Sequence, residues 1–82
     1  MIFLIEYDRP AGRLLTFRSF MDAERNRAEE ARLELELILH RQKVDHEVVL
    51  LEAASEHAVR RTHRRYFENL TELTNPSNGK DD

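Results

Sequence analysis

An unbroken run of large apolar side chains occupies positions 2–5, as Ile2, Phe3, Leu4 and Ile5. Successive side chains of a β-strand point to opposite faces of the sheet, so a strand with this sequence is apolar on both faces. The run is far shorter than the roughly 20 apolar residues that cross a membrane, and no other stretch approaches that length. The sequence therefore predicts a buried strand that needs cover on both sides, and no membrane segment.

A turn signal follows this strand. Pro10 presets the backbone angle of a turn, and Gly12 tolerates the left-handed conformation that closes one. Beyond the turn, Leu15 and Phe17 share one face of an alternating segment. We expect a β-hairpin whose second strand spans residues 13–18.

A long helix is predicted next. Ser19, followed three residues later by Asp22, forms an N-terminal capping pattern, and the stretch to about Gln42 is rich in good helix formers. Leu33 and Leu37 lie one turn apart on nearly the opposite side from the main apolar face, as a second, narrower stripe. The main face, which we expect to pack on a sheet, carries Phe20, Ala28, Ala31, Leu35, Ile38 and Leu39.

The rest of the chain adds one strand and one helix. Residues 47–52 are apolar on both faces like the first strand, and Ser55 can cap a last helix that runs to about Leu73. Residues 75–82 contain no large apolar side chain, so we expect a disordered tail. The predicted domain is residues 1–74.

The order strand, strand, helix, strand, helix predicts a small α+β fold, a two-layer α/β sandwich of ββαβα order with a three-stranded mixed sheet and two helices. A crossover helix after a hairpin places the third strand parallel to the second, and the strand order is 2-1-3 if the third strand lies beside the first. One long helix cannot cover both faces of such a sheet. Either the last helix or a second copy of the chain must cover the other face.

Composition excludes several kinds of site. The chain has no cysteine, which excludes a disulfide scaffold and a thiol nucleophile and fits a reducing compartment, so we expect a cytoplasmic protein. Its two glycines, Gly12 and Gly79, do not form a phosphate-binding loop. Glu36, His40 and His46 are possible metal ligands, but two ligands at helical spacing arise easily by chance. We therefore predict no catalytic residue, no metal site and no cofactor.

The segment 55–66 is unusually basic for a chain with a net charge of −3, since four arginines stand against one glutamate: Arg60, Arg61, Arg64, Arg65 and Glu56. On a continuous helix, Arg60, Arg64 and Phe67 lie together away from the apolar face, with His63 at the flank. An exposed aromatic ring among arginines is typical of a protein-binding hot spot, so we predict these four as partner-binding residues. The same surface could bind RNA or single-stranded DNA, or it is simply a solvated face.

The second stripe predicts self-association. Two-fold homodimers are the commonest oligomers, and a small domain without disulfides or metal gains core by association, so we expect a homodimer with Leu33 and Leu37 at its interface. The function that we expect is a small non-enzymatic protein-interaction or regulatory module with an unknown protein partner and no membrane contact. The alternatives are nucleic-acid binding through the arginine-rich helix, and an enzyme or ligand-binding subunit with a pocket between protomers that uses His40, His46 or His63.

Overall fold

A computed structural model describes residues 1–68. The elements follow the predicted ββαβα order of an α+β fold, and two short 3₁₀ turns accompany them. The predicted tail at 75–82 and the predicted end of the last helix lie outside the described residues. The elements are β1 (Ile2–Asp8), β2 (Arg13–Phe20), a 3₁₀ turn (Asp22–Glu24), α1 (Arg25–Gln42), β3 (Glu47–Glu52), α2 (Glu56–Thr62) and a second 3₁₀ turn (Arg64–Tyr66).

The three strands form one sheet in the order β2-β1-β3, so the third strand lies beside the first, an arrangement that the sequence left open. Ile5 at the centre of β1 pairs with Phe17 of β2 and with Val49 of β3, and both neighbours run antiparallel to β1. The third strand therefore runs in the same direction as the second, as predicted. The expected mixed sheet is nevertheless wrong, because β1 separates these two strands and every hydrogen-bonded pair is antiparallel.

The core lies on both faces of β1, whose residues 2–5 are at most 1% exposed. On one face, Ile2 and Leu4 pack with Phe20 and with Ala28 of α1. On the other, Phe3 and Ile5 pack in a cluster that α2 and the second 3₁₀ turn complete, with Val59, Tyr66 and Phe67. The fold therefore has three layers and not the expected two, because a central strand that is apolar on both faces needs cover on both. The last helix supplies the second cover.

Both ends of α1 differ from a simple helix pattern. Ser19 does not cap it, because β2 continues to Phe20, which pairs with Ile2 and is buried. The entry is instead held by the carboxylate of Glu24, which accepts the backbone N–H of Met21 at 2.8 Å. At the other end, Lys43 adopts a left-handed conformation with φ of 58°, a cap more often supplied by glycine.

The helix that begins at Glu56 breaks where a continuous helix was predicted. Ser55 caps it as expected, since its hydroxyl oxygen accepts the N–H of Ala58 at 3.1 Å. The helix ends at Thr62, however, and His63 leaves the helical region with φ of −122° and ψ of 54°. A continuous helix is the wrong prediction here because the sheet buries two consecutive aromatic rings, Tyr66 and Phe67, and a helix directs neighbouring side chains about 100° apart.

The left-handed cap yields a stability prediction. Replacing Lys43 with Gly should raise the free energy of unfolding by about 1 kcal/mol, because glycine adopts positive φ without a Cβ clash. Urea denaturation measures this. Gln42→Gly, one residue earlier at the last helical position of α1, is the matched control and should lower stability by up to about 1 kcal/mol. An equal decrease in the free energy of unfolding in both variants would contradict the assigned conformation of Lys43.

Candidate functional site

The arginine-rich segment is held largely by contacts within the chain. The guanidinium of Arg60 lies over the ring of Phe67 at 4.8 Å and pairs with Glu56 at 2.9 Å. Phe67 is only 3% exposed, and its ring packs edge-on against Phe17. The expectation that Phe67 is an exposed anchor is therefore wrong. The helix wheel that placed it outside assumed a helix without the break at His63.

Arg65 takes part in a second internal cluster, centred on Glu47. Its guanidinium donates to the two oxygens of the Glu47 carboxylate at 2.8 and 3.0 Å, and the hydroxyl of Tyr66 donates to the same carboxylate at 2.6 Å. Arg9 from the hairpin turn donates to it at 3.2 Å. This cluster ties the end of the described chain to β3 and to the hairpin.

The hydrogen bonds of this cluster contribute to the shifted pKa values of Glu47, Tyr66 and Arg65, the last of which is raised by its bond to Glu47. The bond from Tyr66 lowers the pKa of Glu47, an effect that outweighs the opposing effect of burial, and Arg65 and Arg9 lower it further. Burial is the main cause of the raised pKa of the Tyr66 hydroxyl, and the bond to Glu47 adds a smaller increase. The cluster is thus most stable with the carboxylate charged and the phenol neutral.

The remaining basic residues point away from this packing. Arg61 and Arg64 are exposed and form no ion pair within residues 1–68, while His63 is half-buried at the helix break. A shallow cavity of about 260 Å³ lies at the helix break, lined by Thr62, His63, Arg64, Arg65 and Tyr66. The four predicted partner-binding residues therefore do not form one exposed surface. Their role in binding a partner stays a prediction.

A polar cluster that the sequence analysis missed lies on the α1 side of the sheet. Glu6 is 8% exposed, and its carboxylate accepts the hydroxyl of Thr16 at 2.7 Å and lies 2.6 Å from Nδ1 of His46. Asp8 stands 3.8 Å from the other ring nitrogen. The cluster depends on the β1–β2 register and on the loop before β3, neither of which appears in a local pattern.

This cluster resembles the pairing of a base with an orienting carboxylate, but no uncommitted nucleophile contacts it within residues 1–68. The hydroxyl of Thr16 is already committed to Glu6, the carboxylate that also contacts His46. The hydroxyl of Ser55 is also committed, since it caps α2. The arrangement satisfies a buried carboxylate and thereby stabilises the sheet.

The possible metal ligands are likewise not brought together. His46 contacts Glu6, whereas its neighbour Glu47 contacts Arg65 and Tyr66 on the opposite face of the sheet. His40 is exposed in the last turn of α1. Within the part of the chain that the structure describes, no three His, Asp or Glu side chains are placed to hold a metal ion. No helix in the same residues is long and apolar enough to cross a membrane.

The second apolar stripe of α1 lies on its outer face. Leu33 is 54% exposed and Leu37 is 47% exposed, and α2 does not pack on them because it covers the other face of the sheet. Glu30 and Glu34 are exposed on the same outer side of the helix and form no ion pair within residues 1–68. We call these four residues the outer face of α1. It is an apolar stripe with two exposed carboxylates beside it, and the exposed Arg41 lies on the same side of the helix.

Comparison of the chain with protein-family models, with curated proteins and with solved structures finds no match.

The lowered pKa of Glu47 predicts a specific pH dependence. Glu47→Gln should cost about 1–3 kcal/mol of unfolding free energy at neutral pH, because a charged acceptor of three donors is lost. In the wild type this stabilisation is complete above pH 4.5, the ordinary pKa of a glutamate. It is lost as the pH falls from there through the lowered pKa of the folded state, where Glu47 takes up a proton. The difference between wild type and variant should therefore narrow in acid. Urea denaturation at several pH values measures it.

The control for this series is Glu34→Gln, which removes an exposed carboxylate without an ion pair within the described residues. It should leave stability nearly unchanged at every pH. A gap between wild type and Glu47→Gln that stays constant from neutral to acidic pH would contradict the assigned role of the carboxylate.

Proposed function

We propose that this chain is a small non-enzymatic protein-interaction module that works as a homodimer and binds a helix of a partner protein on the outer face of α1. The observation that carries the proposal is the exposure of Leu33 and Leu37, two large apolar side chains one turn apart on a well-formed helix. Burial of a leucine side chain stabilises a complex by about 1.5–3 kcal/mol, so a matching stripe on a partner helix would make these residues the anchors.

The charges around the stripe define the chemistry of the partner. Glu30 and Glu34 lie exposed beside the leucines and are unpaired within residues 1–68, so a partner helix with lysines or arginines flanking its apolar stripe complements them. In a parallel pair of α1 helices joined by this face, the same glutamates of the two copies would come together. We therefore propose a basic amphipathic helix as the occupant, in place of the self-contact expected from the sequence.

The enzyme alternative has less geometric support. His46 is held between Glu6 and Asp8, and His40 stands exposed at the end of α1. Both lack a free nucleophilic side chain in hydrogen-bond contact within the described part of the chain. We retain a binding role rather than a catalytic one for this reason.

Nucleic-acid binding is the second candidate, supported by one observation. Arg61 and Arg64 are exposed without an ion pair within residues 1–68, and Arg64 lines the cavity of about 260 Å³ at the helix break. Two such cations would make two phosphate contacts, so the affinity for single-stranded RNA should fall only gradually with salt concentration. Each contact contributes about −0.7 to the slope of log K against log salt concentration. If RNA binds here, Arg61→Ala with Arg64→Ala should abolish that slope. Binding that is absent, or unchanged by the two substitutions, eliminates this candidate.

Peptide binding tests the main proposal. The probe is a fluorescently labelled synthetic amphipathic helix with leucines on one face and lysines elsewhere, and fluorescence anisotropy gives its Kd. Leu33→Ala with Leu37→Ala should weaken binding about tenfold or more, because the two anchor side chains are truncated. The fold should survive, since both residues are exposed.

Two controls separate the apolar contact from general attraction to an acidic protein. Leu15→Ala truncates another exposed leucine, on β2, and should leave binding unchanged. A probe with serine in place of each leucine keeps the positive charge and should bind far more weakly. The proposal that the outer face of α1 binds the partner would be refuted by equal binding of the leucine and serine probes. It would also be refuted if Leu15→Ala weakened binding as much as Leu33→Ala with Leu37→Ala.

A further inference from the structure

Among the described residues, β3 is an edge strand whose outer side pairs with no other strand. Met1 and Ala53 exchange both backbone hydrogen bonds, at 2.9 and 3.1 Å, which fixes the pairing pattern between β1 and β3. Since hydrogen-bonded pairs recur at every second residue of an antiparallel ladder, residues 47, 49, 51 and 53 direct their backbone groups toward β1. The backbone N–H and C=O groups of Val48, Leu50 and Glu52 therefore point away from the sheet, and none has a backbone partner within residues 1–68.

The side chains beside this free edge are apolar on both faces. Val48 and Leu50 pack only partly against the α1 cluster, and Val49 and Leu51 only partly against the other cluster. An open groove of about 380 Å³ runs between the edge and α1. A flat apolar edge of this kind is the usual template for adding another strand.

The flank of α1 above the groove carries alternating charge. Arg25, Glu29, Arg32 and Glu36 follow each other at spacings of four, three and four residues, which places them on one side of the helix. Three of them line the groove, and the fourth pairs with Arg32. We call these four residues the charged flank. Their present ion pairs, with one another and between Arg25 and Glu52, are exposed and therefore weak and readily rearranged.

We infer that a second copy of this chain pairs with the free edge of β3, so that two sheets join into one continuous six-stranded antiparallel sheet about a two-fold axis. The outward backbone groups allow a register in which Leu50 faces Leu50 of the other copy and Val48 faces Glu52. This register forms about six backbone hydrogen bonds. The inference rests on the homodimeric part of the proposed function and assigns its geometry.

The charged flank fits the same two-fold axis. In an antiparallel pair of α1 helices, Arg25 meets Glu36 of the other copy and Glu29 meets Arg32, so every contact joins opposite charges. The midpoint of this pattern falls between Glu29 and Arg32. The ion pair between Arg25 and Glu52 places the start of α1 at the end of β3, and a strand rise of about 3.4 Å against a helix rise of about 1.5 Å brings Leu50 level with residue 29 or 30.

The spacing across the axis is also suitable. α1 contacts β3 and β1 more extensively than β2, so its axis lies over the first two. With strands about 4.8 Å apart, joining two β3 edges brings the two α1 axes to about 10 Å, the usual distance of packed helices. The outer face of α1, with Leu33 and Leu37, stays open in this dimer.

Charge reversal tests the inferred geometry. Glu29→Arg with Glu36→Arg makes the charged flank entirely basic, and Arg25→Glu with Arg32→Glu makes it entirely acidic. Light scattering should give the wild type twice the 9.8 kDa mass of one chain. Each variant alone should be monomeric, because like charges meet across the axis. An equimolar mixture of the two should restore the dimer, and native mass spectrometry should identify it as a heterodimer.

The control is Glu30→Arg with Glu34→Arg, which makes the same change of charge away from the flank and should dimerise like the wild type. Peptide binding to the monomeric variants should persist, which separates this inference from the binding surface on α1. A monomeric wild type, or a mixture that fails to associate, would overturn the inference. A dimer that is dissociated by Leu33→Glu with Leu37→Glu, and by neither charge reversal, would also overturn the inference. The chain would then be a homodimer that associates through the outer face of α1.

Discussion

Burial of β1 on both faces is the constraint from which the rest of the structure follows. Four consecutive large apolar residues, Ile2 to Ile5, are almost completely inaccessible, and a strand can bury such a run only between two layers. The long helix α1 supplies one layer, and the short α2 with its 3₁₀ turn supplies the other. This need also explains the break at His63, which lets Tyr66 and Phe67 both reach the sheet. The arginines nearby stabilise that second layer.

The sequence allowed the elements and their order to be predicted because both depend on local patterns. The strand alternation, the cap at Ser55 and the separate stripe at Leu33 and Leu37 are all visible within a few residues of the chain. What could not be predicted depends on tertiary contact. The burial of Phe67 follows from the sheet, and the pairing of Glu6 with His46 joins residues that are forty positions apart.

The distinction between local patterns and tertiary contacts also applies to the charged surfaces of the protein. On a helix wheel the arginines are exposed and free to bind a partner. In the structure Arg60 stacks on Phe67 and Arg65 binds Glu47, so both stabilise the fold. The helical spacing of the charged flank of α1 can be seen in the sequence. That the flank lies above an edge strand depends on the strand order, which places β3 at the edge of the sheet. One helix thus presents two surfaces, an outer apolar face and a charged flank, and they can be used independently.

The central claim is that the free edge of β3, like the faces of β1, has to be covered, and hydrogen exchange measured by NMR across a dilution series tests it most directly. The account predicts that the amides of Val48, Leu50 and Glu52 become more protected as concentration rises, while those of Val49 and Leu51, which bond to β1, stay protected throughout. Outward amides that exchange equally fast at every concentration would contradict it. Outward amides that are protected even in a monomer would also contradict it, since a segment of the same chain would then cover the edge.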